Sequence, residues 1–169
     1  DVHMCVAAAL NEKTGDAGRK LHTGRRRNDQ VALDLKLWVR DACPVIIEKI
    51  RYLNQAYIFQ ADVSGEQLLP SYTHLQRAQP VVVGGELLSW VSALDRSSGR
   101  FSRLVMRIYL EGSPLGAGAI AGSSLPLDRH HVQSNLGFHD DPILQGSIDA
   151  TASLDTALEF AYALTMPSM

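Results

Sequence analysis

An all-α fold, built as a bundle of long helices, is what this sequence predicts, and three observations carry the prediction. Apolar residues recur at helical spacing along two long stretches. No run of alternating apolar and polar residues competes with them. Segments rich in glycine, proline and polar residues fall between the periodic stretches and punctuate them. The chain has 169 residues, 46% apolar and 20% charged, enough apolar material for a single helical domain over 1–169 with its own core, and not the composition of a disordered chain.

The first long helix is expected from Val31 to about Ala61, where Val31, Leu35, Trp38, Ala42 and Val45, then Ile46, Ile50, Leu53 and Tyr57, recur at helical intervals. Pro44 lies inside it and removes one backbone donor, so a kink or a break is expected there. Unbroken, the helix would span about 45 Å, a length that suits a bundle and perhaps an oligomeric one. Pro80 is expected to open a second long helix, with Leu87, Trp90, Leu94, Phe101, Leu104 and Ile108 on one face. Gly84, Gly85 and Gly99 weaken that pattern, each at a cost of roughly 1 kcal/mol relative to alanine. Asp128 to about Leu136 and about Ala152 to Met166 read as a third and a fourth helix. Three loops remain, 20–30, 67–79 and 112–126, and rigidly held loops are where chemistry is usually placed. No internal repeat or low-complexity tract is present.

A formal charge of −2 gives no global attraction to nucleic acid or anionic membranes. No apolar run reaches the ~18 residues of a membrane helix, and the longest uncharged stretch, Gly112 to Leu127, is full of Gly, Ser and Pro. Cys5 and Cys43 lack a metal-ligand spacing, and a chain this apolar needs no disulfide staple, which points to a reducing compartment.

The first loop places Lys20, His22, Arg25, Arg26, Arg27, Asn28, Asp29 and Gln30 just before a helix, where free N–H groups and the helix dipole already favour a carboxylate. A solvated basic turn capped by Asn28 or Asp29 is the alternative. The second loop, Ser71-Tyr72-Thr73-His74-Leu75-Gln76-Arg77-Ala78-Gln79-Pro80, sets one histidine among hydroxyl and amide groups. An imidazole titrates near pH ~6.5 and can move protons at working pH, although a structural histidine is the commoner reading of such a loop taken by itself. The third loop, Gly116 to Gly122, looks superficially like a dinucleotide-binding glycine pattern, but its spacing is one residue too long and no strand precedes it. His130, His131, His139, Asp140 and Asp141 have no recognised ligand spacing and read as caps and solvent-facing groups, not as a metal site. No Ser-His-Asp arrangement is identifiable.

Three segments occur in the order of a known family: Leu21-His22-Thr23-Gly24-Arg25 with Arg27-Asn28-Asp29-Gln30; Tyr72-Thr73-His74-Leu75-Gln76-Arg77-Ala78-Gln79-Pro80; and Pro114-Leu115-Gly116-Ala117-Gly118-Ala119-Ile120-Ala121-Gly122. Together they resemble the argininosuccinate lyases and their lens relatives, the delta-crystallins, within the fumarase/aspartase superfamily, and the resemblance begins at Asp1-Val2-His3. The resemblance implies an incomplete central domain of a long-helix bundle. It also implies a homotetramer with active sites shared between subunits, and a β-elimination of argininosuccinate to arginine and fumarate that needs no cofactor or metal. By the same resemblance His74 is the catalytic proton-transfer residue or its relay, Asn28 and Thr73 bind the substrate, Arg27 helps hold its carboxylate, and Asp1 supports binding.

The family's third conserved segment, Gly-Ser-Ser-x-Met-Pro-Gln-Lys-Lys-Asn-Pro with its catalytic serine, is not in the sequence, so the chain by itself is expected to be inactive. Arg26 stands where the family usually has serine, Ser71 where it has glycine, Ala7 glutamate and Leu154 arginine. A non-enzymatic, crystallin-like or degenerate helical scaffold is the competing expectation. The small-molecule substrate and sister subunits are the expected partners, with neither nucleic acid nor membrane. The expected compartment is the cytoplasm, unless a transit segment precedes Asp1 and directs the protein to an organelle.

Overall fold

The computed structural model describes residues 2–139 and 146–168. Seven helices are described: α1 (Val2–Thr14), α2 (Asp16–Lys20), α3 (Arg27–Ser64), α4 (Val83–Glu111), α5 (Arg129–Asn135), α6 (Gly146–Ala150) and α7 (Asp155–Thr165), the last followed by a 3-10 turn, Met166–Ser168. Two strands, β1 (Leu68–Thr73) and β2 (Gln76–Val82), lie between α3 and α4. The fold is helical as expected, with this small sheet as its exception.

The chain divides into two compact units, and the divisions fall inside α3, inside α4 and at the start of α7. The first unit comprises Asp1–Lys36 and Ile108–Leu154. Here α1 ends at Gly15, whose positive φ of 59° lets its N–H reach back to the Asn11 carbonyl at 2.8 Å. Neither α1 nor α2 was anticipated, because α1 buries no residue and therefore shows no apolar stripe. Polar bonds organise the rest. The buried Gln133 of α5 accepts from the Ser113 N–H at 2.8 Å and donates its amide to the His139 carbonyl. Lys36, nearly buried, pairs with Glu111 at 2.9 Å.

The second unit comprises Leu37–Arg107 and Asp155–Met169. Its core sets Val39, Cys43 and Ile50 of α3 with Leu94, Phe101 and Leu104 of α4 and Ala163 of α7. Phe101 meets the Phe160 ring edge-on at 6.2 Å between centroids, and Phe160 meets Trp38 in the same way at 5.4 Å. Gly84 allows a close approach where α4 begins, since a Cβ there would stand a tight 3.3 Å from the Ala61 carbonyl oxygen of α3.

Several expectations are corrected. Of the kink or break expected at Pro44, the break does not occur: α3 is continuous through it, because a proline deletes one donor while the neighbouring turns keep theirs. Its face within the unit is Val39, Cys43 and Ile50; Trp38, Val45 and Leu53 are exposed. Pro80 does not open a helix but lies in β2 opposite Pro70, and α4 starts three residues later at Val83. Two facing prolines are tolerated because both strands are edges and neither position must donate to the ladder. The sheet escaped the sequence reading because β2 is exposed almost throughout and presents no alternation. The fourth helix begins at Asp155, three residues later than expected.

Candidate active site

In the first unit the site residues stand at the N-terminus of α3. Arg27 and Asn28 occupy its first turn and are exposed, whereas Asp29 beside them is completely buried. One carboxylate oxygen of Asp29, Oδ1, accepts from the Arg26 N–H at 3.0 Å. The other, Oδ2, accepts from the N–H groups of Gly116 at 3.2 Å and Gly118 at 3.1 Å. Asp29 therefore caps the helix and also ties the glycine-rich loop to it. A carboxylate holding three backbone donors is a strong anchor because each bond is charge-assisted.

Arg129 completes this anchor. Its Nε–H donates to the Leu115 carbonyl at 2.9 Å, and its stem passes so close to Gly116 that a Cβ there would meet it at 2.9 Å. Burial pushes the Arg129 guanidinium below its ordinary value, and the charge of Asp29 opposes that shift. Gly116 and Gly118 have φ of 86° and 65°, so the loop's path needs glycine at both positions. This loop follows helix α4, not a strand.

Arg27 also lines a cavity of about 420 Å³ with His3, Ala7, His22 and Gln30. Gln30 Nε2 lies 3.4 Å from His3 Nδ1, and Arg25 Nη2 lies 3.0 Å from His22 Nδ1. The basic turn is thus internally organised and not merely solvated.

In the second unit the site residues stand at the tip of the hairpin. Thr73 ends β1 and pairs with Gln76, and the two residues between them, His74 and Leu75, make the turn with φ of 50° and 62°. Two consecutive positive φ values are what a type I′ hairpin turn requires, and its twist suits the strands. Neither residue is glycine, so the turn is strained, and the His74 side chain on it is exposed. Below the tip, where the register shifts between Pro70 and Tyr72, the Ser71 hydroxyl donates to the Gln79 carbonyl.

Arg27 is thus placed with Asn28, and Thr73 with His74, the two pairs belonging to separate units. The Asp29 tie to Gly116 and Gly118, and the part of Arg129, were missed. Asp29 was legible only as a cap, since its loop partners lie 87 and 89 residues away. Asp1, Asp140, Asp141 and Met169 lie outside the described residues. Among the described residues no group of three His, Cys, Asp or Glu side chains is placed to hold a metal. The Asp128 carboxylate caps the N–H of His131 at 2.9 Å, and the His139 ring stands edge-on to Tyr109.

Comparison with known proteins adds the following. A family model described as lyase matches residues 1–169. The chain is 44% identical over 163 residues to the argininosuccinate lyase of Thioalkalivibrio sulfidiphilus, covering 96% of this chain and 34% of that protein. It is 48% identical over 162 residues to the chloroplastic argininosuccinate lyase of Arabidopsis thaliana, covering 96% of this chain and 31% of that one. The chain therefore spans about a third of the length of the curated relatives it matches. Among solved structures, an EDDS lyase in complex with formate superposes with a TM-score of 0.81 at 32% identity, covering 94% of this chain and 31% of that one. A fumarate lyase from Mesorhizobium sp. BNC1 shares the fold, with a TM-score of 0.60 at 23% identity, covering 96% and 32%.

Proposed function

The chain belongs to the lyase family, whose model matches it from end to end, and from that membership we propose that its reaction is the β-elimination of argininosuccinate to arginine and fumarate. The observation that carries the proposal is the 48% identity to a curated argininosuccinate lyase across 96% of the chain. The structural neighbour named for EDDS lyase, at 32%, is more distant in sequence.

The chemistry asks for three things. A carbon beside a carboxylate must lose a proton, the negative charge that develops must be stabilised, and the departing nitrogen must gain a proton. His74, exposed at a strained turn, is the proton-transfer group or its relay. Thr73 beside it binds the substrate. Arg27 and Asn28, at the positive end of α3, hold the substrate carboxylate, where the helix dipole and free N–H groups reinforce the guanidinium. No metal or redox cofactor has a role in these steps.

The partners proposed are argininosuccinate and sister subunits of a homotetramer that share active sites. Support for assembly comes from α3, on which Trp38, Val45, Tyr52 and Phe59 recur every seven residues and are all exposed. No described helix is long and apolar enough to cross a membrane. The compartment proposed is the cytoplasm, or an organelle if a transit segment precedes Asp1.

Fumarate absorbance on addition of argininosuccinate tests the proposal in the protein as its gene encodes it. Turnover is expected, and His74→Asn is expected to lower kcat by about 10²–10⁴ while leaving the oligomer intact. Absence of fumarate from the unmodified protein would refute the lyase reading and favour a helical scaffold without catalysis, a reading that Arg26, Ala7 and Leu154 support as departures from the family pattern.

A further inference from the structure

In the second unit a cavity of about 510 Å³ opens between α4 and α7, with buried Leu104 and Ala163 in its walls. Arg100, Arg103 and Arg107 of α4 line it, and their i, i+3, i+7 spacing sets all three on one face of the helix. Among the described residues Glu159 of α7 is the one carboxylate in the lining, and its Oε2 accepts from the Arg107 Nε–H at 2.8 Å. Three guanidinium groups thus share one acid, which leaves two positive charges in excess.

The arginines are placed and not merely abundant. Arg100 Nη1 donates to the hydroxyl oxygen of buried Ser97 at 3.4 Å, and Ser97 donates in turn to the Ala93 carbonyl at 3.2 Å. That contact is neutral and leaves the charge of Arg100 unmatched. The Arg103 side chain folds back along α4 to Gly99, where an added Cβ would lie 3.5 Å from Arg103 Nη1. Neither Arg100 nor Arg103 forms an ion pair among the described residues, and the Arg103 guanidinium and the Tyr162 hydroxyl have no hydrogen-bond partner there. Like charges one turn apart repel, and no acid of the lining relieves this pair. Two guanidinium groups and a phenol therefore present their donors to one cavity.

We propose that this cavity is a phosphate site, in which Arg100 and Arg103 take the oxygens of a phosphate group and the Tyr162 hydroxyl donates to it. A phosphate monoester carries about two negative charges and three acceptor oxygens near neutral pH, which matches the excess charge and the three donor groups. A carboxylate, with one charge and two oxygens, leaves part of both unmet. Arg27, Asn28, Thr73 and His74 do not line this cavity, so the site does not depend on the lyase reading.

The test is calorimetric titration of the full chain with inorganic phosphate and, separately, with acetate at matched ionic strength. Saturable phosphate binding is expected, weakened about tenfold or more in Arg103→Ala and again in Arg100→Ala, with the far-UV circular dichroism of both variants unchanged. Arg96→Ala removes the same charge from α4 outside the cavity, and Arg27→Ala removes a cation from the start of α3; both are expected to keep the affinity. The proposal is overturned if phosphate shows no saturable binding, or if acetate binds as tightly. It is equally overturned if Arg96→Ala or Arg27→Ala weakens phosphate binding as much as Arg103→Ala does.

Discussion

Asp29 and Cys43 are both buried, and each makes a prediction that follows from what surrounds it. Removing the carboxylate in Asp29→Ala leaves the N–H groups of Arg26, Gly116 and Gly118 without their acceptor. An orphaned buried donor costs about 1–3 kcal/mol, and partial access of water to two of the three limits the total to roughly 2–4 kcal/mol. Urea unfolding at neutral pH should show a lower midpoint with an unchanged slope. The thiol of Cys43 is pushed up from 9.0 to about 11 by burial. Below pH 9.0 both folded and unfolded chains keep that proton, and the native state loses nothing. Above it the unfolded chain ionises first, so stability falls as pH rises toward about 11, by at most about 3 kcal/mol. The loss should be absent in Cys43→Ala. At neutral pH an alkylating reagent should label exposed Cys5 and spare Cys43, as read by mass spectrometry. At this scale the sequence is informative about residue type and position along the chain. It offers Asn28 or Asp29 as a cap and, by resemblance, His74 as the proton-transfer candidate, but it carries no sign that Asp29 reaches Gly118, because nothing local encodes a contact between distant segments.

The two longest helices were legible in the sequence, and α1 was not. Helix α4 shows its buried Leu94, Phe101 and Leu104 as periodicity, whereas α1 buries nothing and leaves no pattern. The hairpin was hidden for a related reason: its signal is in its turn, and His74-Leu75 is not the Asn-Gly or Asp-Gly pair by which such turns are recognised. That exception gives a prediction. Leu75 is 94% exposed at φ 62°, so Leu75→Gly gives up no packing and relieves a left-handed conformation that costs roughly 1–2 kcal/mol in a side-chain-bearing residue. The extra freedom glycine brings to the unfolded chain offsets part of this gain. Slower amide exchange across β1 and β2 would report the stiffer hairpin. Pro44 offers the counterpart in α3, being exposed in a helix that runs on through it. Pro44→Ala restores one backbone donor without emptying a packed site, and should stabilise the helix by about 1–3 kcal/mol, seen as a higher Tm.

At the largest scale the most informative feature is apolar surface that the chain leaves largely exposed. Trp38, Val45, Tyr52 and Phe59 are 59, 56, 58 and 68% exposed, and their seven-residue interval is the repeat with which one helix packs along another. Val39, Cys43 and Ile50 line a different stripe of the same helix, and that stripe is the one closed within this chain. Periodicity alone cannot separate the two, since both are apolar at helical spacing; this is why Trp38 and Val45 were grouped with buried Ile50 when only the sequence was considered. A row of large apolar residues facing water costs free energy in proportion to its area, and association of helices along that row recovers it. Charging its centre should therefore act on assembly and leave the fold in place. Tyr52→Glu combined with Phe59→Glu removes two of the four contacts and sets like charges at equivalent positions, while Leu94, Phe101 and Leu104 remain packed. Sedimentation should show the unmodified protein as a tetramer and the double variant shifted toward smaller species, with the far-UV circular dichroism of both alike. A monomer that keeps its helical spectrum in the unmodified protein would sink the assembly and would leave the exposed row without a partner of its own kind.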